Sequence, residues 1–566
     1  MKNRYHLLLM LLWLAIGTCL RFWHLTSLPP WTDECATIVF SLGNSFRTVP
    51  LNQVISSDVL LQPLQPIPTV GINAVIEHLF NESTHPPVYF VLSHFWMKLF
   101  SPPGELASIW AARSLSALFG VASIPAMFGF GYLAFRSKLI GQMAAAMMAV
   151  SPYAVFLARD ARHYTLVILL VIASLCCLVK AIQSIYYQQS LPLWVVFAWV
   201  VINSLGVATH YFFTLTLCAE GLILLRQIWH NRKQKESMQS NLWRLGIVAL
   251  GTLMGGLVWI PTLQRIPGNE LTTWVASSNP HVRWLEPIGR LLLWILSMLL
   301  LLPSALTNLP VAIVIVSGIV TLLFLLWSLP HLVNGLKIQQ HNPDTYLAIQ
   351  ILMGYVIGAI ALCLCFTYGL GMDLTLAARF QFIFAPAIIL LLGAALAGCW
   401  QRVQNFNPHQ QKFWLVVNGK VVVSIIWLMA MFGGLTVTWN LGYLQNQRPD
   451  LLASLIQKAS QSNVLIATTH LHHGQTGRMM GLAWEFPHLP AQNLQFFLAH
   501  RDSDTQDYTQ AMQAFDQQLT EIPRPLDLWL VEFRTQVNLE SQHCVLDNQS
   551  GKSAGEYSYK LYHCPT

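Results

Sequence analysis

Asp33 and Glu34 stand side by side in Trp31-Thr32-Asp33-Glu34-Cys35-Ala36, a few residues beyond the first apolar segment. Of two adjacent carboxylates, one can take the proton of an attacking hydroxyl while its neighbour orients it or holds a metal. The same residues also suit a helix start, where an Asp ahead of an apolar stretch caps backbone N–H groups. A second group is Arg159-Asp160-Ala161-Arg162-His163-Tyr164, one acid among two guanidiniums, an imidazole and a phenol. Charges at such a place are costly unless functional, but these can also neutralise one another as a salt-bridge cluster.

Two further motifs carry chemistry. Thr84-His85-Pro86-Pro87-Val88-Tyr89 precedes an aromatic helix that runs to Phe100 and is too short to span a bilayer. Paired prolines suit a helix start, and they hold His85 near the membrane surface. Taken alone, such a histidine is more often structural than catalytic. Ala378-Arg379-Phe380-Gln381-Phe382 opens a late apolar segment with Pro386 just inside it. An arginine there can grip a phosphate bidentately, or it can snorkel to the interface. His210-Tyr211, in a short turn between apolar segments, offers a metal or sugar contact.

The elements that must position these residues are membrane helices. Of 566 residues, 54% are hydrophobic and 10% charged, far below the charged fraction of a soluble domain. The net charge of +7 is better assigned to cytoplasmic loops than to nucleic acid, which is not an expected partner. Met1 to Leu25 has basic residues ahead of an apolar run but no small-residue cleavage site, and Arg21-Phe22-Trp23-His24 reads as an interfacial belt. We therefore expect a retained helix.

Apolar segments fall near 7–24, 108–135, 139–158, 163–185, 191–209, 211–229, 243–261, 308–328, 346–368, 379–399 and 414–438. They predict about eleven spans, with room for up to about thirteen. The segment 286–303 is apolar too, but a full crossing there reverses every later loop, so a re-entrant or interfacial placement is expected. With the N-terminus cytoplasmic, Arg136, Lys138, the basic stretch 232–235, Arg402 and Lys412 all fall inside. The loop 26–107, the loop 262–285 and everything after Asn440 then lie outside, in the space beyond a plasma or inner membrane. Arg113, Arg159, Arg162, Arg265, Arg283 and Arg379 break the rule by falling outside, and several arginines together suit phosphate.

From Asn440 the composition turns polar, and short β-like runs such as 464–467 and 526–531 predict a small extracytoplasmic α/β domain. The expected division is thus a transmembrane part over 1–439, including loop 26–107, and a soluble domain over 440–566. Cys544 and Cys564, both in the tail, can pair if it faces an oxidising compartment. No CxxC zinc spacing occurs.

The order of Asp33-Glu34, His85-Pro86-Pro87, Arg113, Arg159 to Tyr164, and Arg379-Phe380 with Pro386 resembles the family 39 type of GT-C glycosyltransferases. These include protein O-mannosyltransferases, aminoarabinose transferases of lipid A and bacterial relatives. The resemblance covers roughly residues 5–400. It implies an all-α polytopic bundle in which a polyprenyl-phosphate sugar donates its glycosyl group to a lipid, glycan or protein. It implies Asp33 as base or phosphate-side acid, Glu34 as its partner, and Asp160 as a second acid near phosphate or a divalent metal. Arg379, with Arg159 or Arg162, would hold the donor phosphate, and His85, His163, Tyr164 and His210 would contact substrate or metal. Some relatives carry an acid just before the proline pair where this chain has Thr84-His85, so metal dependence stays open.

One base and a phosphate leaving group require cationic stabilisation. Direct displacement predicts inversion at the anomeric carbon. The rival reading is a lipid or solute transporter or flippase, but charges gathered on one side and no inverted repeat argue against a midplane site.

Overall fold

A computed structural model of the chain describes residues 2–565 except 103, 231–234, 265–269, 271–272, 277–283, 304–308, 402–417, 443, 445–446, 487–493, 503–504, 506, 538, 548–550 and 552. Arg265, Arg283, Arg402, Lys412 and the stretch 232–234 lie outside the described residues.

The chain opens with α1 (Lys2–Phe22) and α2 (Thr32–Ser41), then β1 (Val54–Ser56), α3 (Ser57–Leu61), α4 (Ile72–Glu82) and α5 (Val88–Phe100). The long helices follow: α6 (Ile109–Phe135), α7 (Lys138–Val150), α8 (Pro152–Ala158), α9 (Tyr164–Tyr186), α10 (Leu193–Thr209), α11 (Phe213–His230) and α12 (Lys235–Leu257). After α13 (Ile260–Leu263), α14 (Thr273–Ala276) and α15 (Glu286–Ser297) come α16 (Val311–His341), α17 (Pro343–Gly369), α18 (Ala385–Gln401) and α19 (Gly419–Thr438). The tail holds α20 (Pro449–Ala459), β2 (Asn463–His470), α21 (His473–Ala483), β3 (Leu494–His500), α22 (Thr509–Glu521), β4 (Leu526–Val531), β5 (Val545–Leu546), β6 (Ser553–Ala554) and β7 (Tyr557–Cys564).

Among the described residues, each apolar segment expected to cross a membrane carries helix. Among the described residues, six helices are long and apolar enough to cross, or seven if α7 and α8 form one bent span. The others fall short by that measure because α10 and α18 have 17 residues each, α11 carries Glu220 and Arg226, and α12 begins with polar residues. The chain is a polytopic, integral membrane protein. Helix α15 has 12 residues, about 18 Å at 1.5 Å per residue, too short to cross.

Two compact units form: Met1–Leu25, Arg113–Pro267 and Thr272–Leu444 in one, and Thr26–Ala112, Gly268–Leu271 and Gln445–Thr566 in the other. This differs from the division expected at 439/440, because the first loop folds with the tail. Its β1 pairs antiparallel with β3, and α2 packs on α21, where a Cβ on Gly481 would lie 2.4 Å from the Pro30 carbonyl oxygen. Pairing between residues so distant in sequence leaves no local signal.

In the helical unit, α7 and α8 meet at a 56° bend between Ser151 and Pro152. Proline has no N–H for the carbonyl four residues earlier. The guanidinium of Arg21 supplies the donors instead, from Nη2 to Met148 O at 2.8 Å and from Nη1 to Ala149 O at 2.9 Å. Arg21 is fully buried, which corrects its reading as part of an interfacial belt. Helices α16 and α18 cross where neither Gly335 nor Gly398 has a side chain, and a Cβ on Gly335 would sit 2.1 Å from Ala395 O. Small residues let membrane helices approach this closely.

The second unit is built on a seven-stranded sheet of order β1-β3-β2-β4-β7-β5, with β6 on β7. Strands β3, β2 and β4 are parallel, flanked by antiparallel β1 and β7. Leu465, Phe497 and Leu528 pack against Phe515 and Leu519 of α22. Cys544 and Cys564 form a disulfide.

Gly335→Leu forces α16 off backbone that cannot yield, a cost of about 1–3 kcal/mol. We expect a lower melting temperature for the detergent-purified variant, whereas Gly318→Leu, where a Cβ meets nothing within 4 Å, leaves it unchanged.

Candidate active site

In the helical unit, the site is assembled from three connections. The turn between α8 and α9 carries Arg159 to His163, the turn between α10 and α11 carries His210, and a 3-10 turn over Ala378–Ile383 precedes α18. His163 lies with its ring centroid 4.7 Å from that of His210 and 4.6 Å from that of Tyr164. The Phe382 ring closes on His210 at 5.0 Å. Arg162 stands over the Tyr164 ring at 5.8 Å, and Arg379 lies beside the stacked rings of Trp274 and Phe380, 5.5 and 5.6 Å from their centroids. Both guanidiniums act electrostatically on the His210 ring. Of the residues expected from sequence, the unit therefore brings Arg162, His163, Tyr164, His210 and Arg379 together.

Arg159 differs from its expected role. Its Nη1 donates to the carbonyls of Leu20, Arg21 and Trp23, and its Nη2 to His24 O at 2.8 Å and Thr438 O at 3.4 Å. It caps the end of α1, whose last carbonyls lack helical donors. Arg113 adds Nη1 to Leu25 O at 2.8 Å. Asp160 is buried beside Arg159, and its backbone carbonyl accepts from Arg162 N at 2.7 Å.

Sequence reasoning passed over Asp373, which is fully buried. It pairs with Arg290 Nη2 at 2.5 Å and accepts from Thr375 Oγ1 at 2.7 Å. Trp294 Nε1 reaches Thr375 O at 2.8 Å, so α15 is tied to the loop that leads into Arg379. The one available signal was an acid, Asp373, close to the end of an apolar span.

In the second unit, Glu34 is buried and its Oε2 accepts from Trp31 N at 3.3 Å, the return arm of a capping box. Asp33, one residue earlier, is partly exposed. The two carboxylates thus differ in setting, Glu34 buried in the helix cap and Asp33 partly exposed. His473, the first residue of α21, acts electrostatically on Asp33 and is stacked on Phe46 at 4.9 Å with Phe40 at its edge. With its amide nitrogen toward Thr32, Gln447 accepts from Arg478 Nη2 at 2.5 Å. His85 is placed by Ser83, Oγ to Nδ1 at 3.1 Å, against Phe90. His94 ties α5 to α2 through Nδ1 and Ser41 O at 2.8 Å.

Among the described residues no group of three His, Cys, Asp or Glu side chains converges as a metal site.

No family model matches the chain, and the comparison with curated proteins finds no match. Among solved structures, the chain is similar to ArnT from Cupriavidus metallidurans bound to undecaprenyl phosphate, at 12% identity over 99% of this chain and 98% of that one, TM-score 0.45. It is also similar to the apo Archaeoglobus fulgidus oligosaccharyltransferase, at 10% identity over 94% and 70%, TM-score 0.44. The Pmt1-Pmt2 protein O-mannosyltransferase complex of S. cerevisiae is similar at 15% identity over 46% and 34%, TM-score 0.33.

Burial first, then the neighbouring His472, pushes the His473 pKa down to about 3 against the opposing pull of Asp33. Burial first, then His500, His472 and His473, pushes His470 down to about 3. Unfolded, both rings take protons near about 6.5, so below that pH the unfolded chain binds more protons than the folded one. Their contribution to stability is complete above about 6.5 and is lost as pH falls toward about 3. We expect melting temperature to fall from pH 7 to 4.5, and less steeply in the His470→Gln, His473→Gln double variant.

Proposed function

We propose that this protein is a membrane glycosyltransferase that moves a sugar from a polyprenyl-phosphate donor to an acceptor hydroxyl. The observation that carries the reading is the convergence of Arg162 and Arg379 on His163, Tyr164 and His210. Two guanidiniums set among aromatic and imidazole rings suit a phosphate that becomes more negative as its sugar departs. The motif resemblance adds the acceptor side, with Asp33 as base.

The acceptor oxygen attacks the anomeric carbon. The bond from that carbon to the phosphate oxygen breaks, its electron pair stays with the phosphate, and Asp33 takes the hydroxyl proton. A single displacement inverts the centre. Arg162 and Arg379 hold the donor phosphate, Asp160 is the second acid beside the arginine turn, and His163, Tyr164, His210 and His85 contact substrate. Arg159, with its donors on α1, anchors the turn. Guanidiniums meet the leaving-group charge in this scheme.

We place the N-terminus in the cytoplasm, and Asp33 and the α/β unit on the far side of a plasma or inner membrane. The Cys544–Cys564 disulfide supports that side, since such bonds persist in oxidising compartments. Acceptor classes are a lipid, a glycan or a protein.

Membranes bearing wild type, Asp33→Asn or Arg379→Ala are tested with polyprenyl-phosphate sugars, folding being checked by size exclusion. Loss of a general base lowers the rate by about 10²–10⁴-fold, so Asp33→Asn should fall by that much while Arg379→Ala raises the KM for donor. A folded Asp33→Asn protein that transfers at the wild-type rate would sink the assignment of the base. Retention of anomeric configuration would exclude the single displacement.

A further inference from the structure

The tail's parallel strands run β3-β2-β4, so successive crossovers leave β2 toward β3 and then return past it to β4. Open α/β sheets hold ligands at such a reversal, in the crevice beyond the carboxyl ends of the strands. Here that crevice is formed by His470 to His473 after β2, Arg501 after β3, and Glu532 to Arg534 after β4.

Its groups converge. Thr469 Oγ1 donates to Glu532 O at 3.0 Å and accepts from Arg534 N at 3.3 Å, which draws the ends of β2 and β4 together. The Tyr508 phenol lies near the same Thr469 and within the field of Arg501, Arg534 and Glu270. His472 lies within the field of Arg478, Arg534 and Glu270. His470, buried, shares Nδ1···Nδ1 at 2.9 Å with His500 and is fixed by Thr476 Oγ1 at 2.9 Å from Nε2.

Two of the three arginines are matched by carboxylates. Arg478 Nη1 lies 3.3 Å from Glu532 Oε2, and Arg501 pairs with Glu270. Asp502 turns to its own loop, where Oδ1 accepts from Thr505 N at 2.9 Å. Arg534 is exposed, and its guanidinium has no ion pair among the described residues. Among the described residues, the crevice therefore holds two guanidiniums paired with carboxylates and one, that of Arg534, with no such pair. The turn after β2 reads His470-Leu471-His472-His473-Gly474, without the glycine spacing that lets a pyrophosphate approach a helix. One phosphoryl group suits it better than a dinucleotide.

We propose that this crevice is a second anion site, which binds a phosphoryl oxyanion through Arg534 with His472, Tyr508 and Arg501 around it. The source is a free phosphate group or a phospholipid headgroup. The site uses none of the residues assigned to donor or base, and its test needs no sugar transfer.

The full-length protein in detergent is titrated with inorganic phosphate at constant ionic strength, followed by calorimetry and melting temperature. In a second arm, nanodiscs of phosphatidylcholine with and without phosphatidic acid are compared by melting temperature. We expect saturable stabilisation in at least one arm, and at least a tenfold weaker Kd or loss of the headgroup shift in Arg534→Gln. That side chain is exposed, so the substitution should leave the fold intact, which the melting temperature without ligand verifies. Stabilisation by inorganic phosphate assigns the site to a free group, and stabilisation by phosphatidic acid alone assigns it to a headgroup. No stabilisation in either arm, or equal stabilisation of Arg534→Gln, overturns the proposal.

Discussion

Backbone carbonyls that lack a helical donor inside a membrane bundle must find one in the protein, because no water is there to supply it. Pro152 creates this need at the α7–α8 bend, and the end of α1 creates it again over residues 20–25. Arginines answer both. Arg21 serves Met148 and Ala149, Arg159 serves the carbonyls of Leu20, Arg21, Trp23 and His24, Arg113 serves Leu25, and Thr438 Oγ1 adds Leu20 O at 3.0 Å. The α8–α9 turn is thereby fastened to α1 by its own first residue. Asp160, Arg162 and His163, farther along the turn, are held in place by hydrogen bonds made for a different purpose.

That constraint divides the labour among residues that look alike in sequence. Arg159 and Arg162 are three positions apart in one motif, yet the first directs its guanidinium to backbone and the second to the Tyr164 and His210 rings. The pair at Asp33 and Glu34 divides in the same way. Glu34 reaches back to Trp31 N as a cap, while Asp33 keeps a partly exposed carboxylate on the helix that the cap secures. In each case one member of a motif is engaged in backbone hydrogen bonds and its neighbour is not held by them.

The parts legible in the sequence are those set by local rules. Apolar length located the helices, the brevity of α15 agreed with its awkward parity, and the motifs of the helical unit included Arg162, His163, Tyr164, His210 and Arg379 but not Asp373, Arg290 or Trp274. Long-range pairing escaped. Arg21 looked interfacial because it ends an apolar run, and nothing near it shows that Met148 needs a donor. His473 lies in a polar tail some 440 positions from Asp33, and only the packing of α21 on α2 brings their charges into one field.

The same packing changes what governs the proposed base. Asp33 follows α1 by about ten residues, which suggests a carboxylate positioned by the bundle. Its helix instead rests on α21, with Pro30 and Thr32 against glycines that leave no space for a side chain, and β1 continues the tail's sheet at β3. Thr32 is further tied through Gln447 and Arg478 to Glu532 at the end of β4. The placement of Asp33 therefore depends on an α/β sheet whose strands come from the first loop and from the tail. A change in that sheet reaches the carboxylate through hydrogen bonds and packed backbone.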